Sequence, residues 1–249
     1  MRTTLLLILA LFISACSQQP ESVTVEQPAE AKKVTSVIEV ASADEYQPDY
    51  ISAADLNSRV VDCSSPFVFD VRSSHSYEKS HLLGSWSMPH GKTDDALLAT
   101  VEGLSKDSEI VTYCGCPRHL ATLAAKNLES RGYNNVMVLY EGYWHWVEKG
   151  YPTVEQSGNV ATTTRLYLQG RIFADDDSGS GIDVFMRHAD TGQLEAAETD
   201  ANGHFEMDFT LYDYVPGDAF SVVLHDISNE PVHQLYVPED SNVDLEITL

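Results

Sequence analysis

The stretch Ile110-Val111-Thr112-Tyr113-Cys114-Gly115-Cys116-Pro117-Arg118-His119-Leu120, continuing to Gly132, decides the reading of the first half of the chain. Ile110–Tyr113 is a short β-branched and aromatic run of the kind that forms a buried strand. From 120 to 131 the apolar residues Leu120, Leu123, Ala124 and Leu128 recur on one helical face, and Gly132 supplies the stop. Cys114 and Cys116 therefore fall in a strand-to-helix loop. A tight loop opening into a helix turns several backbone N–H groups the same way. Together with the positive end of the helix dipole they form a cradle for an anion. Such a field favours thiolate over thiol, which is what makes a cysteine nucleophilic.

Working outward, Phe67–Val71 and Val136–Tyr140 read as further buried strands, and strands alternating with helices argue for a parallel α/β sheet. Ligands of open α/β sheets bind in the crevice at the carboxyl ends of the strands, where this loop lies. Four cysteines, one near the amino terminus and two separated by a single residue, do not make a disulfide scaffold, so chemistry is expected at them.

Three blocks together resemble the rhodanese family of sulfurtransferases over residues 46–155. The first is Asp70-Val71-Arg72, Tyr77, His81-Leu82, Gly84-Ser85 and Pro89, with Ser80 where the family has glycine. The second is Ile110–Cys114. The third is Leu139-Tyr140-Glu141-Gly142, Trp146, Gly150 and Pro152, with Glu141 in place of one glycine. The resemblance implies that Cys114 attacks the outer sulfur of thiosulfate, a polysulfide or a persulfide. It would hold that sulfur as a cysteine persulfide until a thiol or cyanide removes it. Gly115, Cys116, Arg118 and His119 would bind the donor, the last two adding positive charge at the mouth, while Asp70, Arg72 and His81 would brace the site. No metal or cofactor is required. A soft metal set of Cys114, Cys116 and His119 would offer only three ligands in a cradle-type loop. The related cysteine phosphatases need an arginine six positions after the cysteine, where Leu120 stands. Pro117 removes one N–H of the cradle.

Toward the amino terminus, Arg2 precedes a nine-residue apolar run, Leu5 to Ile13, too short to span a bilayer and suited to a secretory signal. Ile13-Ser14-Ala15-Cys16 resembles the lipobox of bacterial lipoproteins. This implies a signal peptide at 1–15 and an exported chain, anchored through lipid on Cys16 to the cell envelope; Ser17 points to the outer membrane. Residues 16–45 lack aromatics, carry Pro20 and Pro28, and read as a flexible tether with ends about 30 Å apart.

After a linker at 156–164, alternating runs recur every 8–12 residues from 165 to 249 and suggest an all-β, immunoglobulin-like sandwich. Gly170-Arg171-Ile172 and Thr199-Asp200-Ala201-Asn202-Gly203-His204-Phe205 resemble the carboxypeptidase regulatory-like, transthyretin-like sandwich, the latter as a tight architectural turn. Asp175–Gly181 lacks EF-hand spacing and reads as an acidic hairpin turn. The region has no nucleophile motif, and its core is expected to be separate from that of 46–155.

Charge separates the two halves further. The chain of 249 residues carries 38 acidic and 15 basic side chains, a net −23, and residues 160–249 alone hold 18 acidic against 3 basic. No basic run could neutralise a phosphate backbone, which argues against nucleic acid as a partner. The partners expected are a small sulfur-containing anion, a thiol acceptor, the membrane, and a protein for the sandwich. The alternative to an enzyme is a lipid-anchored binding or thiol-redox module on the same fold.

Overall fold

The computed structural model describes residues 46–90, 99–115, 118–155, 162–173, 179–224, 233–236 and 242–248. The signal, Cys16, the tether, Cys116, Pro117, Asp175–Asp177 and most of the 156–164 linker lie outside the described residues.

Five strands, β1 (Asp49–Ile51), β2 (Phe67–Asp70), β4 (Trp86–Ser87), β5 (Ile110–Tyr113) and β6 (Val136–Leu139), form a wholly parallel sheet in the order β1-β6-β5-β2-β4. β5 is buried at all four residues because β2 and β6 flank it and helices cover it. This is why its sequence reads as an uninterrupted β-rich run instead of an alternating one. β3 (Ser80–Leu82) pairs antiparallel with β7 (Thr153–Glu155).

Helix α1 (Ala53–Val61) starts on Ser52, whose Oγ accepts from Asp55 N at 3.1 Å. The Glu141 carboxylate accepts from Ala53 N at 2.9 Å, so the residue standing where the family has glycine ties the β6 end to the first turn of α1. Helix α2 is Ser74–Lys79, and α3 (His119–Ser130) buries Leu120, Ala121, Ala124, Ala125 and Leu128. At Gly132, φ is +86° and its N–H bonds Glu129 O, the turn that ends α3. Helix α4 is Gly142–Glu148.

The carboxyl-terminal part is β-rich. Strands β8 (Thr163–Phe173), β11 (His204–Tyr212) and β14 (Asn242–Thr248) form a three-stranded sheet in which β14 runs parallel to β8. β9 (Asp183–His188), β10 (Leu194–Glu198), β12 (Ala219–Leu224) and β13 (His233–Tyr236) form an antiparallel four-stranded sheet. Both sheets contribute to one buried cluster, with Leu168, Phe205 and Phe209 from one and Val184, Met186 and Phe220 from the other. The Asp200–Gly203 turn forms as its residues require: Asp200 Oδ1 accepts from Asn202 N and His204 N, and Gly203 has φ +77°.

The expectation of separate cores is corrected. One buried cluster joins Leu120, Ala121 and Cys114 to Phe185, Leu194, Ala196 and Val223 of the β-rich part, with β10 lying against α3. Polar contacts reinforce the junction. Ser76 donates to Gln193 Oε1 at 3.4 Å, Lys79 Nζ lies 2.6 Å from Asp213, and the hydroxyls of Tyr143 and Tyr212 are 3.1 Å apart. The physical reason is that α3 presents small residues, Ala121, Ala124 and Ala125, which let a sheet approach closely, while Leu194 and Phe185 are apolar on the side that meets them. Among the described residues no helix is long and apolar enough to cross a membrane.

Candidate active site

Cys114 follows the last residue of β5, at the carboxyl edge of the sheet, and is 1% exposed. Its carbonyl accepts from Tyr143 N at 2.9 Å, and Thr112 Oγ1 donates to Ala121 O at 2.9 Å, so β5, α3 and α4 are fastened around it. Arg118 occupies the cap position of α3 in the left-handed region (φ 81°) and makes no side-chain cap bond. A left-handed arginine costs on the order of 1–3 kcal/mol, held here by the surrounding fold. The main-chain N–H groups of Ala121 and Arg118 are directed at Cys114.

The thiol nonetheless titrates well above the ordinary thiol range. Burial is the largest cause, followed by the negative charges of Glu195 and, more weakly, Asp70, against which the Ala121 and Arg118 N–H groups pull it down. The sequence expectation of a field favouring thiolate is met only in the N–H groups. Glu195 is 4% exposed, and its position on β10 brings it over the loop. A methyl group placed on Gly115 would lie 3.2 Å from Glu195 Oε2 and 3.3 Å from Trp144 Nε1. Nothing local in the sequence marks Glu195, because it reaches the site from a separate sheet about 80 residues downstream.

Asp70 and Arg72 form a buried pair. Arg72 Nη2 lies 2.6 Å from Asp70 Oδ2 and 2.7 Å from Ser80 O, and its Nε bonds both carboxylate oxygens. Asp70 also accepts from Arg72 N and from Tyr113 Oη at 2.7 Å, and the guanidinium lies 3.5 Å from the Tyr143 ring centroid. Arg72 Cδ is 3.8 Å from the same Gly115 methyl position, which puts the pair beside the Cys114 loop. Burial alone would lower the Arg72 value, but Asp70 beside it carries the net upward. His81 stacks on Tyr77 with centroids 3.8 Å apart and bonds Tyr77 O through Nδ1 at 2.8 Å.

The Arg118 guanidinium lies over the Tyr140 ring at 4.3 Å, and His119 Nε2 lies 2.7 Å from Asp183 Oδ1 on β9. The structure thus brings Cys114, Gly115, Asp70 and Arg72 together, while the side chains of Arg118 and His119 engage a tyrosine and the β-rich part. His119, Asp183 and Glu198 offer ligand atoms within 4.8 Å of one another, a group that could hold a cation. A surface pocket of about 310 Å³ between Pro66, Phe67, Leu83 and Trp86 lies at the amino end of β2, the opposite end of the sheet from Cys114.

Comparison with known proteins places this geometry in a class. Residues 52–149 match the rhodanese-like domain family. These residues are a rhodanese-like domain, built on a parallel sheet and followed by a β-rich region. Solved structures similar to the chain include the BH2092 protein from Bacillus halodurans, at 26% identity over 43% of this chain and 77% of that one, TM-score 0.39. Thiosulfate sulfurtransferase from Pseudomonas aeruginosa is 22% identical over 43% of this chain and 20% of its own length, TM-score 0.38. The human single domain sulfurtransferase TSTD1 is 21% identical over 41% of this chain and 98% of that one, TM-score 0.35. No curated protein matches the chain.

Proposed function

We propose that the protein is a sulfurtransferase in which Cys114 carries a sulfane sulfur as a persulfide. The observation that carries this reading is the position of Cys114: it ends the central strand of a rhodanese-like domain, with the N–H groups of Ala121 and Arg118 aimed at it. The Cys114 sulfur attacks the donor's outer sulfur, and a new S–S bond forms. The bond between that sulfur and the rest of the donor breaks, its electron pair leaving with the departing group. With thiosulfate the thiol proton leaves on the sulfite; with an organic persulfide it leaves on the released thiol. Attack by an acceptor thiolate on the terminal sulfur then returns Cys114.

In this reading Gly115, Cys116, Arg118 and His119 bind the donor, and Asp70, Arg72 and His81 hold the loop's neighbours in place. The β-rich region serves as an immunoglobulin-like, carboxypeptidase regulatory-like accessory domain. The chain is exported and anchored to the outer membrane through lipid on Cys16. Intact mass after incubation with thiosulfate and, separately, polysulfide tests the activity.

One observation favours a second reading, a non-enzymatic thiol module. Cys114 is buried under residues of the β-rich region, and its thiol is held protonated by burial and Glu195. The same mass experiment separates the two readings, since a closed module gains no sulfur from any donor.

A further inference from the structure

Glu195 is a carboxylate almost fully removed from water, on a strand outside the rhodanese-like domain. Its Oε2 closes over the backbone of the residue next to the proposed nucleophile. Its neighbours fix it there. Leu194 and Ala196 on either side belong to the cluster that also contains Cys114, and Oε1 accepts from Ala196 N at 3.2 Å. Arg72, the cation beside Gly115, is already bound to Asp70 through Nε and Nη2, so that pair is close to neutral as a unit. The basic side chains of the loop itself are drawn off, Arg118 over Tyr140 and His119 to Asp183. Among the described residues, a donor approaching Cys114 therefore meets the N–H groups of Ala121 and Arg118 and the Glu195 carboxylate supplied by the second region.

We infer that Glu195 is a specificity-determining residue of the Cys114 site, turning it away from doubly charged donors such as thiosulfate and toward alkyl persulfides, which carry at most one negative charge. The inference rests on the sulfurtransferase reading and names its donor class. A like charge in a poorly screened site acts on a dianion twice as strongly as on a monoanion and not at all, to first order, on an uncharged donor. The β-rich region thereby acts as part of the site instead of an appendage to it.

The test uses two alkylating agents of similar size on the full chain, uncharged iodoacetamide and anionic iodoacetate, with the label at each cysteine read by peptide mass spectrometry. Both require the thiolate, so the ratio of their rates at Cys114 cancels thiol ionisation and reports the charge met on approach. Exposed Cys63 is the internal reference. In Glu195→Gln the iodoacetamide to iodoacetate ratio at Cys114 falls by about tenfold, the order expected for one unit charge acting over roughly 8–10 Å in partly screened protein. Glu195→Asp keeps the charge and keeps a raised ratio, which controls for loosening of the loop. In parallel, kcat/KM for thiosulfate rises in Glu195→Gln relative to that for an alkyl persulfide with no other charged group. An unchanged ratio overturns the inference while leaving sulfur transfer standing, as does a Cys114 that neither reagent reaches in the folded chain. A ratio that falls as expected, in a protein that gains no sulfur from any donor, instead overturns the sulfurtransferase reading and with it the donor class.

Discussion

Replacing Asp70 by Asn should be among the most damaging single changes in the rhodanese-like domain. Asp70 is fully buried and accepts from Arg72 N, Nε and Nη2 and from Tyr113 Oη. Asparagine keeps the shape but removes the charge and turns one acceptor into a donor facing other donors. Arg72 would remain buried as a cation with Ser80 O and the Tyr143 ring as its main neighbours. Breaking a buried pair in this way costs about 3–5 kcal/mol. Tyr113→Phe leaves the pair intact but removes the hydroxyl that donates to that carboxylate, accepts from Leu82 N at 3.2 Å and lies 3.1 Å from Ser85 Oγ; the bond to the carboxylate alone is worth about 1.5–3 kcal/mol. In a protein of this size each kcal/mol lowers Tm by roughly 2–4 °C, so the Tm of Asp70→Asn should fall by about 6–20 °C. Urea and thermal unfolding followed by circular dichroism measure both. A loss below about 1 kcal/mol in Asp70→Asn would refute the claim that the pair holds this edge of the sheet.

A chain ending at Glu155 exposes the α3 face that Leu194 and Phe185 cover. It should unfold at lower urea than the full chain, with Cys114 alkylated faster; equal stability and labelling would show that the junction carries no energy. Gly203→Ala should cost about 2–4 kcal/mol, since its new methyl would lie 2.4 Å from Ile172 O at a φ of +77°. A neutral result in urea unfolding would contradict the turn geometry. Because the folded-state thiol value of Cys114 is raised, the stability it contributes is fully present below the unfolded value near pH 8.5 and is lost as pH rises toward the folded one. The urea midpoint of wild type should thus drop more steeply than that of Cys114→Ala between about pH 8.5 and 10.5; parallel curves would refute it.

Strands and helices were legible where the pattern is local. Ile110–Tyr113 was expected and found at the same bounds, and the 120–131 apolar stripe appears as His119–Ser130. The alternating runs expected from 165 to 249 appear, among the described residues, as seven strands between Thr163 and Thr248. The parallel pairing of β14 with β8 carries no local signal, because the partners are joined only after the whole region has closed. The same limit hid Glu195, Phe185 and Leu194 from the site. Their places depend on how a second sheet meets α3, whereas Cys114, Asp70 and Arg72 could be read from β-strand ends in one domain. The thiol's titration went the other way from the sequence expectation for that reason. The helix terminus was visible, but the burial and the added carboxylate were not.

The most direct test is the intact mass of wild type, Cys114→Ser and Cys116→Ser after incubation with thiosulfate, polysulfide and an alkyl persulfide. Wild type and Cys116→Ser should each gain the mass of one sulfur atom, removable by cyanide or a thiol, and Cys114→Ser should gain none. A cyanide-removable sulfur that persists in Cys114→Ser, or no gain in wild type with any of the three donors, would contradict the assignment of Cys114 as the sulfur carrier.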